Sequence, residues 1–298
     1  MLKEVLKKRF KKSQSVPEVL NAKSWQKDDL LIEYKKAVLF KNKLESMKIS
    51  SSYIDTYWNS ICGSILNIYE DETSFSRFGQ NELIIKTMIG DPVRNLQSKF
   101  DGLIDINEKE LVLEEWFGNF RLNIPKLKTT AQRLSHIYIA NLIQDILYNQ
   151  NVSDVKINEI GGGFGGLASV LSRKMVIEKY QIIDLWQLLP LQRAYLNLSL
   201  GSAANKFSYI PVVDNFILNT SDIFISNWAL TEATSSMQDY VVDNNFFGAK
   251  HIFIACQDNN DNHNDGRHLI SYLSSQASLS IRLKGPLADS KLFYIQKG

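Results

Sequence analysis

The sequence predicts an α/β protein: a Rossmann-like, seven-stranded sheet whose last strand runs antiparallel, preceded by a helical N-terminal region. Three observations carry this. The apolar run Val155-Lys156-Ile157-Asn158-Glu159-Ile160 enters five glycines within six positions, Gly161 to Gly166, and a helical pattern follows. Beyond it, strand-like and helix-like stretches alternate, the pattern of a parallel sheet covered by helices on both faces. The last two strand-like runs are separated by a short turn at Lys284-Gly285-Pro286, so they must pair antiparallel.

The bulk numbers set the frame. A chain of 298 residues holds one large domain or two modest ones, and 44% hydrophobic content supplies an ordinary core. A formal net charge of +2 is close to balance and implies no nucleic-acid footprint. Cys62 and Cys256 are the two cysteines, and no Cys-x-x-Cys pair or His/Cys cluster suggests zinc. Cys256 falls in the strand-like run His251-Ile252-Phe253-Ile254-Ala255-Cys256 and reads as a buried thiol. There is no apolar run of 18 residues and no leader pattern, so a reduced, cytoplasmic location is expected.

Taken in order, the chain opens on Met-Leu-Lys-Glu-Val-Leu-Lys-Lys-Arg-Phe-Lys-Lys, with six basic residues and one Glu. It reads either as a solvated terminus or as a short basic amphipathic helix. The second reading would place the protein at the inner face of an anionic membrane. Residues 13–24, with Pro17 and several Ser and Asn residues, read as a linker. Helical spacing of apolar residues predicts helices over 28–47, 52–69, 81–88 and 108–117. Their aromatic residues, Tyr53, Tyr57, Trp58, Phe75, Phe78, Trp116 and Phe117, are expected in the core. Residues 1–124 thus form a mostly helical region suited to a cap, an oligomerisation surface or the acceptor side. A long helix over 129–148 opens with Thr129-Thr130-Ala131-Gln132, which fits a capping box at Thr129. After the glycines, strands are predicted at 180–184, 207–212, 222–227, 250–256, 278–283 and 292–296. Helices are expected between them at 188–198, 230–244 and 267–276.

The glycine turn lets a ligand approach bare backbone at the N-terminus of a helix. Side chains at Gly161 or Gly163 are expected to block that approach. Gly161, Gly163 and Gly166 satisfy the dinucleotide pattern G-x-G-x-x-G. Glu159, Gly161, Gly163 and Gly165 equally satisfy the acidic-x-G-x-G-x-G pattern of S-adenosylmethionine (SAM) enzymes. Asp184 ends the second strand 23 residues after Gly161, where a carboxylate accepts hydrogen bonds from ribose hydroxyls. Both cofactor classes place an acid there.

The order of elements resembles the class I SAM-dependent methyltransferase fold. Asn158-Glu159-Ile160-Gly161-Gly162-Gly163-Phe164-Gly165-Gly166, Ile183-Asp184-Leu185 and Ser226-Asn227-Trp228-Ala229-Leu230-Thr231-Glu232 resemble the bacterial sugar O-methyltransferase family. That family is associated with lipopolysaccharide O-antigen and other surface-polysaccharide biosynthesis. The resemblance covers residues 125–298 and implies a SAM-binding methyltransferase domain there. It implies a cofactor site of Glu159, Gly161, Gly162, Gly163, Phe164, Gly165, Asp184, Leu185, Ser226 and Asn227. It also implies methyl transfer to a sugar hydroxyl on a nucleotide sugar or a glycan end.

Such a transfer needs a base near the sheet's carboxyl edge. The polar stretch 257–268 follows the fifth strand and supplies His263, the first candidate, then His268 and Asp258. Glu232 is the fourth candidate. Asp258, Asp261, Asp265 and His263 also compose a divalent-metal alternative, but the spacing lacks the later bidentate Glu of an EF-hand, so no metal is expected. His136 and Tyr138 lie where they could overhang the methionine end of SAM, with a structural role as the alternative for His136. His251 reads as structural. Two other classes stay open. One is an NAD(P)-dependent sugar-nucleotide oxidoreductase, although Tyr240 and Tyr272 lack the Lys four residues on that such an enzyme uses. The other is a catalytically silent SAM-fold partner, or homo-oligomer, in a glycan-synthesis complex.

Overall fold

The computed structural model describes residues 27–89, 108–149 apart from 116, 121, 123, 125 and 126, and then 152–257, 267–283 and 290–297. The basic stretch 1–12, the linker at 13–24, Trp116 and the loop 258–266 lie outside the described residues.

The strands are β1 Val155–Ile160, β2 Ile177–Asp184, β3 Phe207–Pro211, β4 Ile223–Asn227, β5 His251–Gln257, β6 Leu279–Arg282 and β7 Ser290–Gln296. They form one sheet in the order β3-β2-β1-β4-β5-β7-β6. The first five are mutually parallel, and β7 runs antiparallel to both β5 and β6. This is the class I methyltransferase topology expected from the sequence. The closing pair does not simply extend the sheet, because β7 inserts between β5 and β6.

The principal helices are α1 Lys27–Ser46, α2 Thr56–Ile65, α3 Ala131–Asn149, α4 Gly166–Lys174, α5 Leu189–Leu200, α6 Ser235–Asp243 and α7 Arg267–Gln276. Sheet side chains alternate between two apolar layers, as strand geometry requires. Ile157, Ile182 and Ile225 face one layer, with Leu134, Leu167 and Leu196. Ile160, Ile183 and Phe224 face the other, with Met237, Val241 and Leu273. Covering both faces explains why β1 is buried along nearly its whole length.

The first layer also takes in Leu30 and Ala37 of α1, with Phe75 and Phe78, so one core runs through the upstream helices and the sheet. Helix α1 packs along α5, where the Asn197 amide donates to Glu33 Oε2 at 2.8 Å. Tyr69 ties the same region down: its hydroxyl donates to Gln187 O at 2.8 Å and accepts from Leu191 N at 3.0 Å. Among the described residues, no helix is long and apolar enough to cross a membrane.

Several helix ends differ from expectation, each because a polar side chain captures the backbone. Asp214 accepts from Ser51 Oγ and from the Ser52 N–H, holding 51–53 out of the helix. Asp55 then caps α2 by accepting from Tyr57 N at 2.7 Å. The 81–88 helix is capped by Asn81 and widens into a π turn over Ile85–Ile89. The 108–117 helix stops at Val112, and the Glu114 carboxylate accepts from the Thr130 N–H at 3.1 Å. The α3 cap is consequently Thr130, whose hydroxyl accepts from Arg133 N at 3.1 Å, and not a box at Thr129. The 230–244 helix breaks at Ala233 and Thr234 into Ala229–Glu232 and α6. There the Thr234 hydroxyl donates to Ser52 O at 3.0 Å.

Candidate active site

Register brings the sequence motifs to one edge. Ile160 pairs with Ile183 of β2 and with Ser226 of β4, so the glycine turn, Asp184 and Asn227 leave the sheet side by side. Strand order reverses at β1, because β2 and β3 lie on one side and β4 on the other. Ligands of open α/β sheets bind at such a reversal, beyond the strands' carboxyl ends. A cavity of about 320 Å³ opens there. It is lined by the glycine turn, Asp184, Leu185, Asn227 and Glu232, and roofed by Tyr53, Trp58 and Met88 from upstream.

The glycines serve different ends. Gly163 has φ +60°, and a Cβ added there would meet nothing nearer than Met88 Sδ at 3.9 Å, so bare backbone faces the cavity. Gly161, at φ +79°, is required by the protein itself: an added Cβ would sit 1.9 Å from the Ala229 Cβ. The expectation that a side chain at Gly161 obstructs a ligand is therefore replaced by a packing reason. Gly162 lines the cavity too, and its missing side chain would press on Ile182 Cγ2. Gly165 faces Leu196, behind the turn, and is the N-cap residue of α4. The buried Phe164 ring lines the cavity and packs against Phe78, Phe120 and Tyr195.

Two carboxylates sit beneath the turn. Asp184 Oδ2 accepts from Gly163 N at 3.1 Å and from the Gln192 amide at 2.5 Å, and its Oδ1 accepts from Leu185 N at 2.7 Å. Burial pushes Asp184 up to about 7 against these three bonds, which favour the charged form. Glu159 accepts from the Tyr180 hydroxyl at 2.9 Å. Burial raises it to about 7 as well, with Asp184 adding to the rise. The turn and β2 are thus bonded through Asp184.

Beyond β4, Ser226 does not line the cavity. Its hydroxyl donates to Ile160 O at 3.2 Å and accepts from Leu230 N at 2.9 Å, joining β1 to the following helical turn. Asn227 does line it, and its Oδ1 is buried without a partner. Trp228 has φ +69°, strained for a bulky side chain, and its indole N–H donates to Ser290 Oγ at 3.3 Å. Glu232 lies on the cavity wall, raised to about 6 by burial against a hydrogen bond from Trp58.

Among the other base candidates, His263 and Asp258 fall outside the described residues. His268 lies in the first turn of α7, and its side chain is likewise outside the description. His251 is structural: its Nδ1 is 2.9 Å from the Tyr294 hydroxyl and the rings stack. Tyr138 is buried in the core, whereas His136 lines the cavity with Gln132. Among the described residues no group of three His, Cys, Asp or Glu could hold a metal ion. The sequence reading missed Tyr53, Trp58, Met88 and Trp228 as cavity walls; it expected the first two in the core, where Tyr53 is buried while Trp58 is only half-buried. Helical spacing identifies a buried face but not which buried face meets a ligand.

No family model and no curated protein matches the sequence. Among solved structures, the chain is similar to magnesium protoporphyrin IX methyltransferase (ChlM) from Synechocystis PCC 6803 with bound SAM. That match has a TM-score of 0.48 and 10% identity, over 84% of this chain and 100% of that one. The methyltransferase domain of bacterial CtHen1-CN matches at TM-score 0.43 and 11% identity, over 53% and 97%. An O-methyltransferase family protein from Burkholderia thailandensis matches at 0.40 and 13%, over 56% and 60%.

Proposed function

We propose that the protein is a SAM-dependent O-methyltransferase that methylates a sugar hydroxyl in surface-polysaccharide synthesis. The observation that carries the cofactor part is charge. Among the described residues, four carboxyl residues, Asp55, Glu159, Asp184 and Glu232, line the cavity against one lysine, Lys86. Such a lining attracts a sulfonium cation and repels a pyrophosphate. The turn agrees, because the Gly163 N–H is already donated to Asp184 and is not free to cradle a phosphate. Burial keeps Glu159 and Asp184 close to half-protonated at neutral pH, and a cation beside them favours their ionised forms.

The residues fit that cofactor. Gly163 offers backbone to it, Asp184 is the candidate partner of the ribose hydroxyls, and Asn227 brings a buried acceptor in need of a donor. Bound SAM supplies a methyl group activated by its sulfonium charge. The chain's task is then to align the acceptor oxygen and remove its proton. Glu232, raised to about 6, is a stronger base than an ordinary carboxylate and still mostly ionised at neutral pH. His263, His268 and Asp258 are the further candidates for that role, on the stretch that follows β5. The sugar acceptor, a nucleotide sugar or a glycan end, rests on the resemblance of the three edge segments. Tyr53 and Trp58, which line the cavity from the helical region, agree with an acceptor role for that region.

Calorimetry with S-adenosylhomocysteine and NADH tests the cofactor. Binding of the first is expected, and tight NADH binding with no response to the first would refute it. Labelled SAM with a panel of nucleotide sugars and glycan fragments tests the acceptor, and label in none of them removes the sugar reading.

A further inference from the structure

Trp228 holds a backbone conformation that its side chain does not favour. Its φ of +69° lies in the left-handed region, where a bulky residue is an outlier. Such strain persists only where the surroundings fix it, and here every polar atom of the residue is held. Its N–H donates to Ala255 O at 2.9 Å. Its carbonyl accepts from Thr231 N at 3.0 Å, from Glu232 N at 3.3 Å and from the Thr231 hydroxyl at 2.6 Å. Its indole N–H donates to Ser290 Oγ at 3.3 Å. The residue is half-buried, packs against the first apolar layer and lines the cavity. A glycine would adopt this backbone without strain. What the indole adds is a large ring fixed at the cavity wall.

Topology tells which end of the cavity this is. Asp184, the candidate ribose partner, ends β2. Ser290 opens β7 and pairs with Gln257 at the carboxyl end of β5. In the order β2-β1-β4-β5-β7, a strand spacing of about 4.8 Å puts Ser290 roughly 19 Å along the sheet from Asp184. The indole therefore reaches away from the nucleoside side, toward the place where the chain leaves β5. Glu232, the candidate base, lies one helical turn beyond Trp228, with its N–H on the Trp228 carbonyl. Trp58 bonds the Glu232 carboxylate from the upstream helical region. Ring and carboxylate thus share one end of the cavity, the end opposite the ribose partner.

We infer that Trp228 is the specificity-determining platform on which the acceptor ring lies. A pyranose fits it, because C–H groups line the face of the sugar ring while its hydroxyls radiate from the edge. An aromatic face covers the C–H side and leaves an edge hydroxyl free to meet a base. The inference rests on the sugar reading above and adds to it the residue that selects a sugar ring.

The experiment is saturation-transfer NMR on the protein loaded with S-adenosylhomocysteine. The probes are the methyl glycosides of glucose, galactose, mannose and rhamnose, with phenol as the flat aromatic alternative. In the parent, at least one glycoside should receive saturation on its ring C–H protons. Trp228→Ala and Trp228→Gly should each weaken that glycoside by about 10- to 100-fold, the range for removing an aromatic anchor. Calorimetry should show S-adenosylhomocysteine binding within about twofold of the parent in both. Urea titration separates ring from strain: Trp228→Gly should be the more stable of the two, since only the alanine keeps the positive-φ cost, although both lose the glycoside alike. Ser290→Ala keeps the ring but frees its edge, and should weaken the glycoside by about 2- to 10-fold. This milder variant carries the comparison should the Trp228 variants fail to fold. Unchanged glycoside binding in these variants, or an equal loss of S-adenosylhomocysteine, would overturn the platform. Trp228-dependent binding of phenol and of no glycoside would overturn the sugar as its occupant. A parent that binds S-adenosylhomocysteine but no glycoside overturns the sugar reading and this inference with it. One that does not bind S-adenosylhomocysteine overturns the cofactor reading, and both fall.

Discussion

Gly161 and Gly163 are two residues apart in one motif, yet the structure assigns them opposite sensitivities. At Gly163 an alanine adds a methyl group that meets only Met88 Sδ at 3.9 Å. The cost to folding is then the positive φ, roughly 1–2 kcal/mol for an L-residue. At Gly161 the same φ cost applies, and the new methyl lies 1.9 Å from the Ala229 Cβ, far inside a normal carbon contact of about 3.5–4.0 Å. Overpacking of that kind adds roughly 1–3 kcal/mol or more. Gly161→Ala should therefore lose about 2–5 kcal/mol, and Gly163→Ala about 1–2 kcal/mol. Ligand affinity should rank the other way. The Gly163 methyl projects into the cavity, so Gly163→Val should abolish S-adenosylhomocysteine binding while the chain stays folded. Urea titration and calorimetry on the same preparations read both quantities. A double-mutant cycle isolates the contact: Ala229→Gly in the Gly161→Ala background should recover about 1–3 kcal/mol, since the two sites touch. Parent-like stability of Gly161→Ala would refute the packing account. Parent-like affinity of Gly163→Val would refute the backbone approach.

Two further outcomes follow from the buried acids. Glu159 and Asp184 have folded-state values raised to about 7, so their contribution to stability is greatest at low pH and is lost as pH rises through 7. Urea titrations of the ligand-free protein should show stability rising by about 1 kcal/mol from pH 8 to pH 6.5, with a shallower slope in Glu159→Gln. His136, held at about 3, cancels about half of that gain below its ordinary value of 6.5, so stability should keep rising at a shallower slope until the unfolded-state carboxyls protonate at about pH 4, and a flat profile would contradict the assignment. If Glu232 is the base, Glu232→Gln should reduce methyl transfer by roughly 10²–10⁴-fold with little change in S-adenosylhomocysteine affinity. Full turnover by this variant, with loss in His263→Ala, would move the role to the stretch after β5.

The parallel sheet, its antiparallel close and the glycine edge were legible because they depend on local pattern. Apolar runs at strand length, alternation with helices and the missing helix before the last strand are all written along the chain. So are Glu159 and Asp184, whose spacing from the turn follows from one strand–helix–strand unit. Helix ends were less legible. Asp214 acts on Ser51 and Ser52, and Glu114 acts on Thr130, across sequence separations that no local pattern records.

By itself, the sequence determined the order of strands and helices and which strand ends carry polar residues, because side-chain periodicity and backbone preference act between neighbours. Only the tertiary structure decided what stands over that edge. Tyr53 and Trp58 come from a segment that Asp214 and Asn215 after β3, and Thr234 after β4, hold at that edge. The same packing turned Ser226 inward, left Asn227 and His136 with unpaired polar atoms, and made Gly161 a matter of contact with Ala229. The physical reason is that burial and hydrogen-bond satisfaction depend on which distant surfaces meet, and the spacing of residues along one chain does not contain that distance.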